Sequence, residues 1–275
     1  MKGPKPYSKR FFRSDSRAKP QQSERGAGVK IPRDRVIYGI HAVEAALSNP
    51  KRNILHAYFT ENAFAKLGEF ATERGIGTSI LQSAEFDALL GSGTVHQGAA
   101  LHVDPIPQPR LEDFLAALPD AQGAVLAMLD QVTDPHNVGA VLRSAAAFGI
   151  AALIVQERHS PPLTGTLAKA ASGAVEHVPV LAEVNLSRSL ATLKDFGFRC
   201  IGFDSDAGEP FVDAALDASR VALVFGAEDR GIRRLVREGC DAVYALSVPG
   251  TIKSLNVSNA AAIAFYEAAR ARSGK

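Results

Sequence analysis

Hydrophobic positions recur with two different periods along this chain, and the switches between them lay out its elements. YGIHAVEAAL (Tyr38–Leu47) places apolar residues three and four apart, which predicts a helix, whereas ILHAYF (Ile54–Phe59) is a short apolar run of strand character. Helical spacing returns over Phe64–Arg74 and Ala84–Leu90, with strands predicted around Ile76–Leu81 and at Ala99–Val103. This alternation predicts a small α/β domain over 36–103. DPIPQP (Asp104–Pro109) then places three prolines in six residues, which prevents regular structure and predicts a linker over 104–110.

A second α/β block, 111–275, repeats strand and helix more regularly. Strands are predicted at Ala124–Leu129, Ala151–Val155, Phe198–Phe203, Val221–Phe225 and Ala242–Leu246, and helices at Asn137–Phe148, Asn185–Asp195, Ile232–Glu238 and Asn256–Ala271. Apolar strands alternating with helices predict a doubly wound, mainly parallel sheet, whose functional loops lie at the carboxyl ends of the strands.

Composition narrows the class. Hydrophobic residues make up 46% and charged residues 22% of 275, and there is no tryptophan, so the core is built mainly from Ala, Val, Leu and Ile. No apolar run approaches the roughly 20 residues of a membrane span, and the basic N-terminus lacks the apolar core of a secretory signal. Two cysteines, Cys200 and Cys240, make no disulfide framework, which points to a reducing cytoplasm. The net charge is only +2, yet residues 1–33 hold ten basic against two acidic residues, leaving −6 for the remainder. Rich in Ser, Pro, Gln and Gly, residues 1–35 are predicted to be a disordered basic tail, either a phosphate-contacting arm or a solubilising one. The seven histidines are scattered and neither cysteine has a ligand-like neighbour, so no metal site is expected.

Three segments at predicted strand ends carry candidate chemistry. In LDQVTDPHNVGAVLRSAAAFGI (Leu129–Ile150), Asn137 is a candidate N-cap. Arg143 stands off the apolar stripe among Gly139, Ala140, Ala146 and Ala147, which leaves room for a nucleotide or a partner subunit. In VALVFGAEDRGI (Val221–Ile232), Gly226 and Gly231 bracket a loop holding Glu228 and Asp229. Their spacing is that of a phosphate loop, but Ile232-Arg233 replaces its Lys-Ser/Thr, and the absence of G-x-G-x-x-G disfavours a nucleotide-dependent oxidoreductase. In LSVPGTIKSLNVSNAAAIAFYEAARAR (Leu246–Arg272), a Pro-Gly turn leads to Ser254-Leu255-Asn256, where Ser254 or Asn256 can cap an alanine-rich helix.

Together these segments resemble the SpoU/TrmH family of RNA ribose 2′-O-methyltransferases, of the SPOUT superfamily. The first resembles its N-x-x-x-x-x-R motif (Asn137 to Arg143), the second its G-x-E-x-x-G motif (Gly226, Glu228, Gly231), and the third its S-L-N-V-S motif. YGIHAVEAAL and HQGAAL (His96–Leu101) resemble the ends of the RNA-binding domain that precedes many members. The resemblance implies a deep trefoil knot, against the general rule for chain threading, and a homodimer with the active site near the interface. It implies S-adenosylmethionine as cofactor, contacted by Gly226, Leu246, Val248 and Leu255, and a catalytic set of Arg143, Asn137, Glu228, Ser254 and Asn256. Members read I-P-x-x-G before S-L-N, whereas here Val248-Pro249 directly precedes Gly250; counting back from Leu255 selects Leu246 as donor contact, and aligning on the proline selects Val248. The implied substrate is a guanosine of large-subunit rRNA, with tRNA, or a non-catalytic role in RNA binding or ribosome assembly, as alternatives.

Overall fold

In the computed structural model, residues 31–119, 123–211, 216, 218–251 and 254–273 are described. Residues 1–30 of the basic tail lie outside them. Ile31 is buried and Arg33–Arg35 form one 3-10 turn, so the end of the segment grouped with the tail by composition is packed.

The first unit comprises β1 (Val36–Tyr38), α1 (Ile40–Ser48), β2 (Ile54–Phe59), α2 (Glu61–Glu73), β3 (Thr78–Ile80), α3 (Ser83–Leu90) and β4 (Ala99–Val103). Its four-stranded sheet has the order β1-β4-β2-β3, with β4 antiparallel to both neighbours. The helix expected from Tyr38 begins two residues later, because Val36–Tyr38 pair with β4 as a strand. Gly39, at φ 95°, makes the turn between them, a conformation glycine adopts without strain. Asp104–Arg110 is irregular, and its first residue is fixed by Asn53 Nδ2 (2.5 Å) and Arg35 Nη1 (3.0 Å).

The second unit runs α4 (Leu111–Ala116), β5 (Ala124–Asp130), α5 (Pro135–Ala147), β6 (Ala152–Gln156), α6 (Gly165–Ala170), β7 (Val180–Glu183), α7 (Leu186–Asp195), β8 (Arg199–Phe203), β9 (Arg220–Gly226), α8 (Arg234–Gly239), β10 (Ala242–Tyr244) and α9 (Val257–Ser273). Its six strands are all parallel in the order β10-β8-β9-β5-β6-β7. All seven residues of β5 are buried, and alternation along the strand divides them between two layers. Val125, Ala127 and Leu129 join a cluster with Val141 of α5, Leu167 of α6 and Phe265 of α9. Leu126 and Met128 join another with Leu115 of α4, Leu190 of α7 and Val236 of α8. The sheet is therefore covered on both faces. The pattern missed β7, α4 and α6, and β10 stops at Tyr244, leaving Leu246 in an irregular segment.

The two units share one core. The cluster around α5 and α6 continues through Ala174 and Val175 into Val43, Ala46 and Leu47 of α1. Gly173 makes this contact close: an added Cβ would lie 2.6 Å from Ala45 Cβ. Beside it, Arg52 Nε lies 3.3 Å from Glu176 Oε1, with side-chain exposures of 1% and 2%, and Asn49 Nδ2 donates to Glu176 Oε2 at 2.8 Å. Burial lowers the Arg52 pKa, and Glu176 partly opposes that shift. Despite its prolines, the linker thus connects bodies already fastened to each other.

Candidate functional site

Strand order reverses between β5 and β9, where the chain, having moved outward to β7, returns on the other side of the sheet. Ligands bind at such switch points, beyond the carboxyl ends of the strands. The first two candidate segments emerge side by side here, since Asp130 at the end of β5 pairs with Gly226 at the end of β9.

Asp134, not Asn137, caps α5: its Oδ1 accepts from His136 N at 3.1 Å, and Pro135 occupies the first helical turn. That places Asn137 inside the helix and frees its side chain. Asn137 Nδ2 donates to Glu228 Oε1 at 3.0 Å, and Asn137 Oδ1 accepts from Asn256 Nδ2 at 3.0 Å. The same Glu228 Oε1 accepts from Asn256 Nδ2 at 2.5 Å and from Val257 N at 3.4 Å. Asn256 Oδ1 meanwhile caps α9 by accepting from Ser258 N at 2.9 Å. Two side-chain amides and one carboxylate oxygen thereby bind together three segments separated by 28 to 119 residues.

The loop from Gly226 to Gly231 folds back on itself. An added Cβ at Gly226 would lie 2.0 Å from Gly231 C and 2.3 Å from Ile232 N, backbone atoms that cannot move aside cheaply. Gly231 has φ 61°, which completes the return. Immediately beyond it, Arg233 clamps Asp130, a fully buried residue at the end of β5. Arg233 Nε and Nη2 reach Asp130 Oδ1 at 2.8 and 2.7 Å, and Arg233 N donates to Oδ2 at 2.8 Å.

These loops enclose an open cavity of about 250 Å³. Gly226, Leu246, Val248 and Leu255 all line it, so both candidate positions in the Pro-Gly segment face the same space. Glu228 and Ser254 line it as well, while Asn137 and Asn256 stand behind Glu228. Phe203 and Phe225, stacked with centroids 5.0 Å apart, contribute aromatic surface. Apolar walls suit a flat base, and carboxylate and hydroxyl groups at the edge suit hydroxyl or ammonium groups. The lining therefore fits a nucleoside-bearing cofactor.

Arg143 is not among the lining residues. It is exposed on α5, with no hydrogen-bond or ion-pair partner among the described residues. Its neighbour Gly139 does not leave open space, contrary to the expectation from its small size. An added Cβ there would lie 2.6 Å from Ala170 Cβ and 2.8 Å from Leu167 O, so Gly139 serves the packing of α5 on α6. Sequence reasoning also missed two carboxylate–guanidinium pairs, Asp130–Arg233 and Asp204–Arg237. The position of Asp130 at a strand end was visible, but nothing in the chain indicates a partner 103 residues away. Burial pushes the thiols of Cys200 and Cys240 up to about 12, so neither is a thiolate nucleophile at neutral pH. Among the described residues, no group of three or more His, Cys, Asp or Glu is placed to hold a metal, and no helix is long and apolar enough to cross a membrane.

A parallel sheet with three loops interlocked at its switch point, preceded by a smaller α/β unit, defines a two-domain SPOUT architecture, consistent with the knotted fold of that superfamily. Residues 124–266 match the SpoU rRNA Methylase family, and residues 36–109 match the family described as RNA 2′-O ribose methyltransferase substrate binding. The chain belongs to the SpoU rRNA Methylase family. It is 38% identical over 246 residues to the 23S rRNA (guanosine-2′-O-)-methyltransferase RlmB of Vibrio cholerae, covering 87% of this chain and 98% of that one. Against the Escherichia coli enzyme of the same name it is 36% identical over 242 residues, covering 86% and 99%. Among solved structures, an RNA 2′-O ribose methyltransferase superposes with a TM-score of 0.71 at 24% identity, covering 86% of this chain and 88% of that one. The SpoU methyltransferase AviRb from Streptomyces viridochromogenes, in complex with AdoMet, superposes with a TM-score of 0.69 at 19% identity, covering 86% and 89%.

Proposed function

We propose that this chain transfers a methyl group from S-adenosylmethionine to a ribose 2′-hydroxyl of structured RNA, and that the acceptor is a guanosine of 23S rRNA. The observation that carries this reading is the Asn137–Glu228–Asn256 interlock. It joins the three family motifs over a cavity whose walls fit a nucleoside. The relatives that this chain covers almost end to end are named as methyltransferases of that RNA.

When bound, S-adenosylmethionine supplies a methyl group activated on a sulfonium. Gly226, Leu246, Val248 and Leu255, which line the cavity, would hold it there. Glu228, with Asn137 and Asn256, fixes the relative position of the loops, and Ser254 orders the acceptor side. The acceptor hydroxyl must be aligned and lose its proton. A guanidinium is a forked donor with no acceptor atom, so Arg143 acts as a clamp on the neighbouring phosphate and hydroxyl, not as a base. The proton leaves to that phosphate or to water.

Residues 36–103 form the RNA-binding domain, 104–110 the connection, and 111–275 the methyltransferase domain. The protein works as a cytoplasmic homodimer. Exposed Ile263 and Tyr266 on α9 supply an apolar face beside α5, and Arg143 reaches the acceptor at that interface. The test is incubation with donor and unmodified 23S rRNA or tRNA. Transfer confined to 23S rRNA supports the proposal, transfer to tRNA reassigns the substrate, and transfer to neither favours a non-catalytic RNA-binding role.

A further inference from the structure

Of the cavity carboxylates outside the interlock, only Asp204 is partly buried. Asp204 follows β8 directly, and because Phe203 pairs with Phe225, it sits at the strand end beside Gly226. Its side chain is 14% exposed and lines the cavity, against the backbone of Gly231. Arg237 Nη1 donates to its Oδ2, and the backbone N–H of Asp206 donates to its Oδ1 at 3.0 Å. These two contacts fix the carboxylate, yet each oxygen can accept more than one hydrogen bond. The other cavity carboxylates differ: Glu228 is committed to the interlock, Asp229 is an exposed partner of Arg230, and Asp206 is exposed.

We infer that Asp204 is the acceptor for the ribose hydroxyls of the bound methyl donor. This rests on the methyltransferase reading of the same cavity. Arg237 neutralises the charge of Asp204, so what the carboxylate offers a ligand is a directed acceptor, not a field for a cation. A vicinal diol has two donors suited to it. The placement obeys a general logic of nucleotide sites in parallel sheets. A glycine at one strand end admits the ligand, and a carboxylate at a nearby strand end reads the ribose. Asp204 is thus a binding and specificity residue, and Arg237 is the positioning residue that presents it.

The test is calorimetric titration of wild type, Asp204→Ala and Asp204→Asn with S-adenosylhomocysteine and with its 2′,3′-dideoxyribose analogue. A hydrogen bond to a charged acceptor corresponds to roughly ten- to hundredfold in affinity. The wild type should lose about that factor when the diol is removed. Asp204→Ala should bind the parent compound more weakly by a similar factor and lose the discrimination between the two. Asp204→Asn, nearly isosteric, gives the same readout if the alanine variant does not fold, and its ratio should also fall. A folded variant that keeps the full wild-type ratio overturns the role of Asp204 alone. A wild-type protein that binds neither compound overturns the methyltransferase reading, and this inference with it.

Discussion

Arg233 and Asp130 should respond unequally to mutation, because one is buried and the other is not. Asp130 is fully buried and receives three contacts from Arg233, two from the guanidinium and one from the backbone N–H. Arg233→Met removes the two guanidinium contacts and leaves a buried carboxylate with a single N–H. Breaking a buried pair from this side costs about 3–5 kcal/mol. Asp130→Asn leaves a guanidinium that is already 42% exposed and that water can solvate, while the amide oxygen still accepts a hydrogen bond. Its cost should be about 1–3 kcal/mol, the range for an impaired buried hydrogen bond. Combining Arg233→Met with Asp130→Leu removes the stranded charge and should recover part of the loss. Urea denaturation followed by circular dichroism measures all three, with an unchanged slope as the check that only stability has moved. The reasoning is refuted if Asp130→Asn costs as much as Arg233→Met, or if neither variant is destabilised. Because Arg233 follows the Gly226–Gly231 loop, Arg233→Met should also weaken donor binding.

Three further outcomes follow from the same structure. Arg143→Lys keeps the charge but loses the planar fork, so methyl transfer should fall about tenfold or more with donor affinity unchanged; activity near wild type would remove the clamp role. Cys200 is held protonated in the folded state, its pKa raised to about 12, chiefly by burial. The stability this confers is present below the unfolded thiol's pKa of about 8.5 and is lost as pH rises through 12. Cys200→Ala should therefore flatten the alkaline fall in stability measured by pH-dependent denaturation, and an unchanged slope would contradict it. Deleting residues 1–30, which spares the packed Ile31, should weaken RNA binding and reduce its dependence on salt. An unaltered salt slope would show that the tail makes no phosphate contacts.

Much of this architecture was legible because the apolar strands of the second unit are long and uniformly buried. β5, β6, β8 and β9 all fall within a residue or so of their predicted ranges. What escaped was short or locally contradictory. β7 has four residues behind Pro179, α6 has six with a glycine at its start, and β1 has three residues merged into a helical pattern. Asn137 was a sound candidate N-cap by residue type, but Asp134-Pro135 is the stronger local signal and displaced the start of the helix. The candidate site was visible as three separate segments. Their junction was not, because the bonds of Glu228 to Asn137 and Asn256 span 91 and 28 residues and depend on the order of the strands. Composition predicts a linker over 104–110, and that segment is irregular. It does not reveal that the core shared through α1 and Ala174 fastens the two units together.

The most direct test of the central claim is to supply purified protein with methyl-labelled S-adenosylmethionine and unmodified 23S rRNA, then digest the RNA and identify the labelled nucleoside by mass spectrometry. Label on the ribose of guanosine, lost when Glu228→Ala opens the interlock, is the predicted result. Label on a base, or transfer undiminished in Glu228→Ala, would contradict it.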